Sequence, residues 1–217
     1  GQVCPKMGKC RVAVFAADNG VVDEGVSCAP RSVTLQQAIN MTRRRTGMSA
    51  MAAAFGDDVA VVDVGIAADV PGVGILDRKV RRGTGNIAVE DAMTRPEALA
   101  AMAAGMEQAA RARADSITAL GVGEMGIGNT STSAAVLSAL TGADIEAVTG
   151  RGGGLTDEGF ARKKDVLRRA LTRRAVDKDD VLDVLCAVGG LDIAAMTGAF
   201  LGCAHERIPA AVDGFIS

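Results

Sequence analysis

The chain has 217 residues, a formal net charge of −2 and 48% hydrophobic residues. That excludes a disordered chain and gives one α/β domain enough apolar mass for a core. Aromatic residues make up only 2%, with no Trp or Tyr, so a stacking platform for single-stranded nucleic acid is excluded and the core must be built from Ala, Val, Leu, Ile and Met. The near-neutral charge offers no broad attraction to nucleic acid or to a membrane surface. No apolar run reaches the ~18 residues of a spanning helix, and no signal peptide is visible. A soluble, cytoplasmic protein is the expectation.

Arg11 to Ala17 is a short apolar run closed by Asp18-Asn19-Gly20, which predicts a buried strand with a turn at its carboxyl end. Val33 to Phe55 has helical character with a break near Gly47. Its Arg43-Arg44-Arg45 cluster reads better as a solvated helix face than as a phosphate patch. Val59 to Val64 predicts a second strand ending at Asp63, and Asp69 to Ala92 a long irregular loop. Arg95 to Arg113 predicts a helix, with Thr94 as N-cap, Pro96 in the first turn and Glu97 as a favourable early anion. Met102 and Met106, four apart, predict its packing stripe.

Ser116 to Leu120 predicts a third strand, and Thr132 to Leu140 a helix. Ile145 to Thr149 predicts a fourth strand, ending in the loop Gly150-Arg151-Gly152-Gly153-Gly154. Thr156 should cap a helix from Asp157 to Arg173. Val181 to Ala187 and Asp192 to His205 predict further helices, and Ile208 to Val212 a last strand. This alternation predicts an α/β fold: a Rossmann-like parallel sheet with helices on both faces, in a single domain spanning 1–217.

Between the third strand and its helix lies Gly121-Val122-Gly123-Glu124-Met125-Gly126-Ile127-Gly128-Asn129-Thr130. A strand, a glycine turn and a helix N-terminus together hold anions, because free amides and the helix dipole point at the ligand. Glu124 is out of place for a plain phosphate site, since a carboxylate repels a phosphate. A site wanting both suggests a sugar phosphate: amides for the phosphate, the acid for ribose hydroxyls or for charge developing at the anomeric carbon. Ligands in such sheets lie outside the carboxyl ends of the strands. Asp18, Asn19, Glu24, Asp63, Glu124, Asn129, Arg151 and Asp213 all fall there in the predicted layout. Turns also attract Asp and Asn for conformational reasons alone. On composition, Lys163 is a solvated helix residue, or else a point charge for a phosphate.

Other chemistries find little support. The run matches GxGxxG, but its acid sits inside the turn rather than on a second strand ~20 residues later. Neither a GxxxxGK[ST] nor a GxSxG sequence occurs. The five cysteines, Cys4, Cys10, Cys28, Cys186 and Cys203, include no CxxC pair, so no metal site is expected. Cys4 and Cys10 flank a turn and could pair. His205, the single histidine, reads as a helix C-terminal cation.

Four groups of residues together resemble the nicotinate-nucleotide–dimethylbenzimidazole phosphoribosyltransferase family, collinearly over nearly the whole chain. They are Phe15–Val21 with Glu24–Ser27, Gly123–Thr130, Gly150–Gly152 with Ala161–Lys163, and Val212–Phe215. The resemblance implies transfer of phosphoribose from nicotinate mononucleotide to 5,6-dimethylbenzimidazole, giving α-ribazole 5′-phosphate and nicotinate for the lower ligand of cobalamin. It implies no cofactor, a homodimer, and a small domain assembled from both chain ends. Glu124 matches the ribose-side glutamate and Lys163 the lysine that pairs with the 5′-phosphate; Gly126, Gly128 and Gly152 would offer amides, with Asn129, Arg151, Asp18 and Asp213 in the same pocket. Gln37 matches a glutamine near the acceptor base. Ala29 replaces a serine found in some relatives, and Asn19 a histidine found in many. The general base of the family, a glutamate in a C-terminal Arg-Leu-Gly-Glu-Gly-type motif, has no counterpart in the 217 residues. The chain therefore reads as the large-domain core, inactive or weakly active alone. The alternative is a non-catalytic nucleotide-binding paralogue or partner subunit.

Overall fold

The structure is a computed structural model and describes residues 8–72, 74–173 and 175–217. Its centre is a parallel sheet of β1 (Cys10–Ala17), β2 (Asp58–Gly65), β3 (Leu76–Asp77), β4 (Ala119–Met125) and β5 (Ala210–Ala211), in the order β3-β2-β1-β4-β5. The helices are α1 (Ser32–Thr42), α2 (Gly47–Phe55), α3 (Arg95–Ala114), α4 (Asn129–Thr141), α5 (Ile145–Val148), α6 (Asp157–Thr172), α7 (Val181–Val188) and α8 (Leu191–Glu206).

Side chains alternate across a strand, so each strand feeds two cores. Phe15, Val62, Leu120 and Val122 pack with α3, α7 and α8 on one face. Ala16, Val61 and Ile66 meet Ala38 of α1 on the other. The α3–α8 contact is built from small residues. A Cβ on Gly105 would strike the Ala195 carbonyl, and one on Gly198 the Met102 carbonyl, so the two backbones nearly touch. The stripe that α3 buries is Ala98, Ala101, Gly105, Ala109 and Ala112. Met102 is partly buried against this core but Met106 is exposed, which corrects the methionine stripe at Met106: where the two backbones nearly touch there is room only for small residues.

Caps follow the sequence closely. The Thr94 N–H donates to Glu97 Oε2 at 2.7 Å, closing a capping box at the start of α3. Thr156 Oγ1 accepts the Gly159 N–H at 3.2 Å. Thr46 and Ser49 form a second capping box at the break between α1 and α2.

Three predicted strands need correction. Ile145–Val148 form α5, with Thr149 as its C-cap: Asp144 caps the Glu146 N–H at 3.0 Å, and this local bond wins over β propensity. The third strand lies further along than Ser116–Leu120, because Ser116 has a left-handed φ of 59° and ends the previous connection. The last strand shrinks to Ala210–Ala211. Among the described residues, the stretch 75–92 forms defined contacts rather than an irregular loop. It adds β3, its Thr84 hydroxyl accepts the Gly20 N–H at 3.0 Å, and Gly85 N–H donates to the Ala92 carbonyl at 2.8 Å. Arg43, Arg44 and Arg45 are exposed. Cys4 lies outside the described residues, so its pairing with Cys10 is not addressed.

Candidate active site

Because β1 lies between β2 and β4, its two neighbours are reached by connections running in opposite directions. That switch point opens a crevice at the carboxyl ends of β1 and β4. Gly121, Gly123 and Glu124 belong to β4 itself, so the predicted turn begins only at Gly126. Glu124 continues the Leu120–Val122 alternation onto the face covered by α8 and stands beside Phe15 of β1. Gly128 has a φ of 96°, a conformation open to glycine, and from there the chain turns directly into α4.

The turn walls a hollow of about 300 Å³, into which Glu124, Gly126, Gly128, Asn129, Arg151 and Gly152 are brought together. Ser27, Cys28 and Ala29, from the connection after β1, form the opposite side. The 13-residue helix α4 starts at this hollow, so its positive dipole end faces any anion within.

Lys163 lies behind the wall of this hollow. The side chain is fully buried, and its Nζ donates to Thr130 Oγ1 at 2.8 Å and to the Gly150 carbonyl at 3.0 Å. Both acceptors are neutral, and no carboxylate pairs with Lys163 among the described residues. Burial alone therefore lowers its pKa from 10.5 to about 8. Gly152, with a φ of 58°, lies so close that a Cβ there would sit 3.2 Å from Thr130 Oγ1 and 3.7 Å from Lys163 Nζ. A buried ammonium with only neutral acceptors is short of negative charge, and a phosphate supplies it.

Glu124 shows the mirror-image perturbation. Burial and the nearby carboxylate of Asp192 push its pKa from 4.5 up to about 7. Hydrogen bonds from Asn129 Nδ2 and the Gly126 amide act the other way, without prevailing. An acid and a base with pKa values pushed toward neutrality at one crevice are the mark of a working site rather than a packed core.

The other candidates fall elsewhere. Asp18 is buried, and its Oδ2 accepts the Ala67 N–H at 2.8 Å, so it holds the loop after β2 rather than lining the hollow. Asn19 is fully buried beneath α4, where Thr132 Oγ1 approaches its Oδ1 at 3.5 Å. Glu24 accepts from Asn86 at 2.7 Å and pairs with Arg169, which lowers its pKa. Asp63 accepts the Gly65 and Ile66 N–H groups at 3.1 and 2.8 Å and pairs with Lys79 at 3.2 Å; it shapes a turn. Gln37 is half-buried on α1 and outside the wall. The nearest tie from that helix is Thr34 Oγ1, which accepts the Ile127 N–H at 3.1 Å.

Arg151 lines the hollow, but its guanidinium is committed to its own loop. It donates to the Leu155 carbonyl at 3.1 Å, pairs with Asp157 and lies 4.8 Å from the centre of the Phe160 ring. Asp213 lines a neighbouring apolar hollow of about 670 Å³, with Met41, Met48 and Phe215. Glu124 and Thr130 border both spaces. Two site residues carried no assigned role in the sequence reading. Thr130 sat inside the glycine run, and Asp192 followed Gly189-Gly190 at a helix start.

A family model described as DBI_PRT, phosphoribosyltransferase, matches residues 1–217. The chain belongs to this phosphoribosyltransferase family. It is 47% identical over 218 residues to a nicotinate-nucleotide–dimethylbenzimidazole phosphoribosyltransferase of Geobacter sp. strain M21, covering 100% of this chain and 62% of that protein. It is 46% identical over 209 residues to the protein of that name from Clostridium perfringens strain 13, covering 96% and 58%. Among solved structures, CobT from Thermus thermophilus superposes with a TM-score of 0.92 at 43% identity, covering 98% of this chain and 64% of that one. The chain thus spans about three fifths of the length of these phosphoribosyltransferases. The agreement in fold supports the parallel α/β architecture expected from the alternating strands and helices.

Proposed function

We propose that the chain is the nucleotide-binding core of an enzyme that moves phosphoribose from nicotinate mononucleotide to 5,6-dimethylbenzimidazole, releasing nicotinate and forming α-ribazole 5′-phosphate for the lower ligand of cobalamin. The observation that supports it is that Glu124 lines a hollow at the switch point of the sheet while Lys163, buried behind that wall, bonds its Thr130. Lys163, Thr130 and the N-terminus of α4 take the 5′-phosphate. Glu124 faces the ribose.

Nicotinate on ribose is a pyridinium-type leaving group. It departs with the electron pair of the C1′–N bond and needs little acid help. The ribosyl carbon then carries oxocarbenium character, and an anionic Glu124 steadies it. The azole nitrogen forms the new bond to C1′ while its partner nitrogen releases a proton. That proton needs an acceptor. The Arg-Leu-Gly-Glu-Gly-type motif that supplies it by resemblance is not found in these 217 residues. Residues 1–217 alone therefore bind the nucleotide and turn it over slowly or not at all, within a protein that is a homodimer and cytoplasmic.

Isothermal titration of residues 1–217 with nicotinate mononucleotide and with α-ribazole 5′-phosphate tests this reading. Saturable heat at millimolar ligand or below is expected for both. No binding of either at millimolar concentration overturns it.

A further inference from the structure

We infer that Asp192, buried beneath the glycine turn at the second position of α8, is a positioning residue that controls the charge on Glu124 through Gly126. The argument is geometric. Asp192 is fully buried, and its Oδ2 makes no hydrogen bond within the protein. A Cβ on Gly126 would lie 2.5 Å from that Oδ2 and 2.5 Å from the Ala17 carbonyl. The unpartnered carboxylate oxygen of Asp192 is therefore pressed against the backbone of Gly126, two residues beyond Glu124. A Cβ at Gly126 would displace that carboxylate or the Ala17 carbonyl, so glycine is what lets Asp192 lie this close to the turn.

Asp192 is fixed from its other sides too. Its Oδ1 accepts the Ile193 N–H at 3.0 Å and would lie 2.3 Å from a Cβ on Gly190, which glycine alone allows. Asn19 and Asp18, at the end of β1, face it: the Asn19 amide lies beside its carboxylate and favours the charged form, whereas the Asp18 carboxylate opposes it. Around Glu124 stand Asn129, the Gly126 amide and Asp192, with Arg151 and Cys28 in the wall of the same hollow. Within this set, Asp192 is the one group named here that opposes ionisation of Glu124. Burial raises the pKa of Asp192 itself to about 6, so near neutrality Asp192 carries the charge while Glu124 is poised between forms.

The test is a carbon-13 NMR titration of glutamate side-chain carboxyls in the full-length protein, with the Glu124 signal identified by its loss in Glu124→Gln. In the wild type, Glu124 should titrate near 7 and show a second inflection as Asp192 ionises. In Asp192→Asn the midpoint should fall by about one pH unit or more, since a like charge is removed. A wild-type midpoint in the ordinary carboxylate range, or an unmoved midpoint in a folded Asp192→Asn protein, overturns the inference. The wild-type titration decides even if the variant does not fold.

A kinetic arm rests on the function proposed above. The acidic limb of kcat/KM should move down in pH in Asp192→Asn by the same amount, while KM at high pH stays within about twofold. An unmoved limb overturns the inference. Absence of turnover in the wild type counts against the proposed function and leaves the titration to decide this point.

Discussion

The molecule carries two glycine-rich turns at one hollow, and they are built on opposite principles. The turn after β4 is hemmed in: Gly126 leaves no room for a Cβ between the Ala17 carbonyl and the Asp192 side chain, and a Cβ on Gly128 would sit 2.7 Å from the Val22 side chain. The turn after α5 is open at its two ends, Gly150 and Gly154, and approached only by side-chain tips at Gly152 and Gly153. A Cβ on Gly150 would meet nothing within 4 Å, and the loop is held by the Arg151–Asp157 pair and the Phe160 ring at its surface. Packing fixes the carboxylate of the first turn, whereas solvated polar contacts, individually weak, shape the second. The precision of the site should therefore reside in the β4 turn and its tolerance in the α5 turn.

The largest break in that comparison comes from Glu124→Gln in the full-length protein. Turnover should fall by a factor of ~10² or more, as when one electrostatic group is removed from a transition-state site. Steady-state rates check it, and unchanged turnover would make Glu124 a turn residue only. Lys163→Met comes next. Losing a buried cation from the phosphate site should weaken nicotinate mononucleotide binding by ~10- to 100-fold, measured by calorimetry. Gly126→Ala should cost about 1–3 kcal/mol in denaturant unfolding, the usual range for overpacking, whereas Gly150→Ala should lie within about 0.5 kcal/mol of the wild type. If the two glycine variants proved equally stable, the contrast between the turns would fail.

The pH dependence sharpens the same contrast. Glu124 binds its proton more tightly folded than unfolded, with a pKa moved from 4.5 to about 7. Its contribution is most favourable below 4.5 and is lost as pH rises to about 7, an effect on the order of 3 kcal/mol. Lys163, moved down from 10.5 to about 8, acts the other way, and its burden is relieved as pH rises from 8 toward 10.5. Unfolding of Glu124→Gln and wild type should therefore nearly coincide at pH 5 and diverge at pH 8, with the variant more stable. The smallest effect belongs to Arg151→Ala, expected to cost at most about 1 kcal/mol, less in high salt.

What the sequence disclosed, and what it hid, follows the range of the interactions involved. Caps are local, so Thr94 and Thr156 announced α3 and α6 within a residue. The glycine run and its acid were visible because few other functions ask for that combination. Residues 145–149 were misread as a strand because Ile, Ala and Val look alike in either state, and the Asp144 cap lay outside the apolar window. Lys163 looked like a surface residue among Arg162 and Lys164; only the approach of Thr130, 33 positions away, makes it a buried cation. Asp192 left no mark at all, since its importance depends on Ala17, Asn19 and Gly126 meeting above it. Asp63 and Glu24 looked equally functional, yet their carboxylates are consumed by a turn and by an ion pair.

The near-contact of α3 and α8 extends the reach of this chemistry well beyond the ligand. α8 carries Asp192 at one end and, along its length, leans its backbone against α3 through glycines. Substituting a larger residue for Gly105 or Gly198 would wedge the two helices apart and shift the Asp192 end of α8 against the β4 turn. Drift in a wall that never touches substrate would then surface as a changed optimum of acidity, so the working conditions of such an enzyme can be retuned from its interior while every residue facing the nucleotide stays the same.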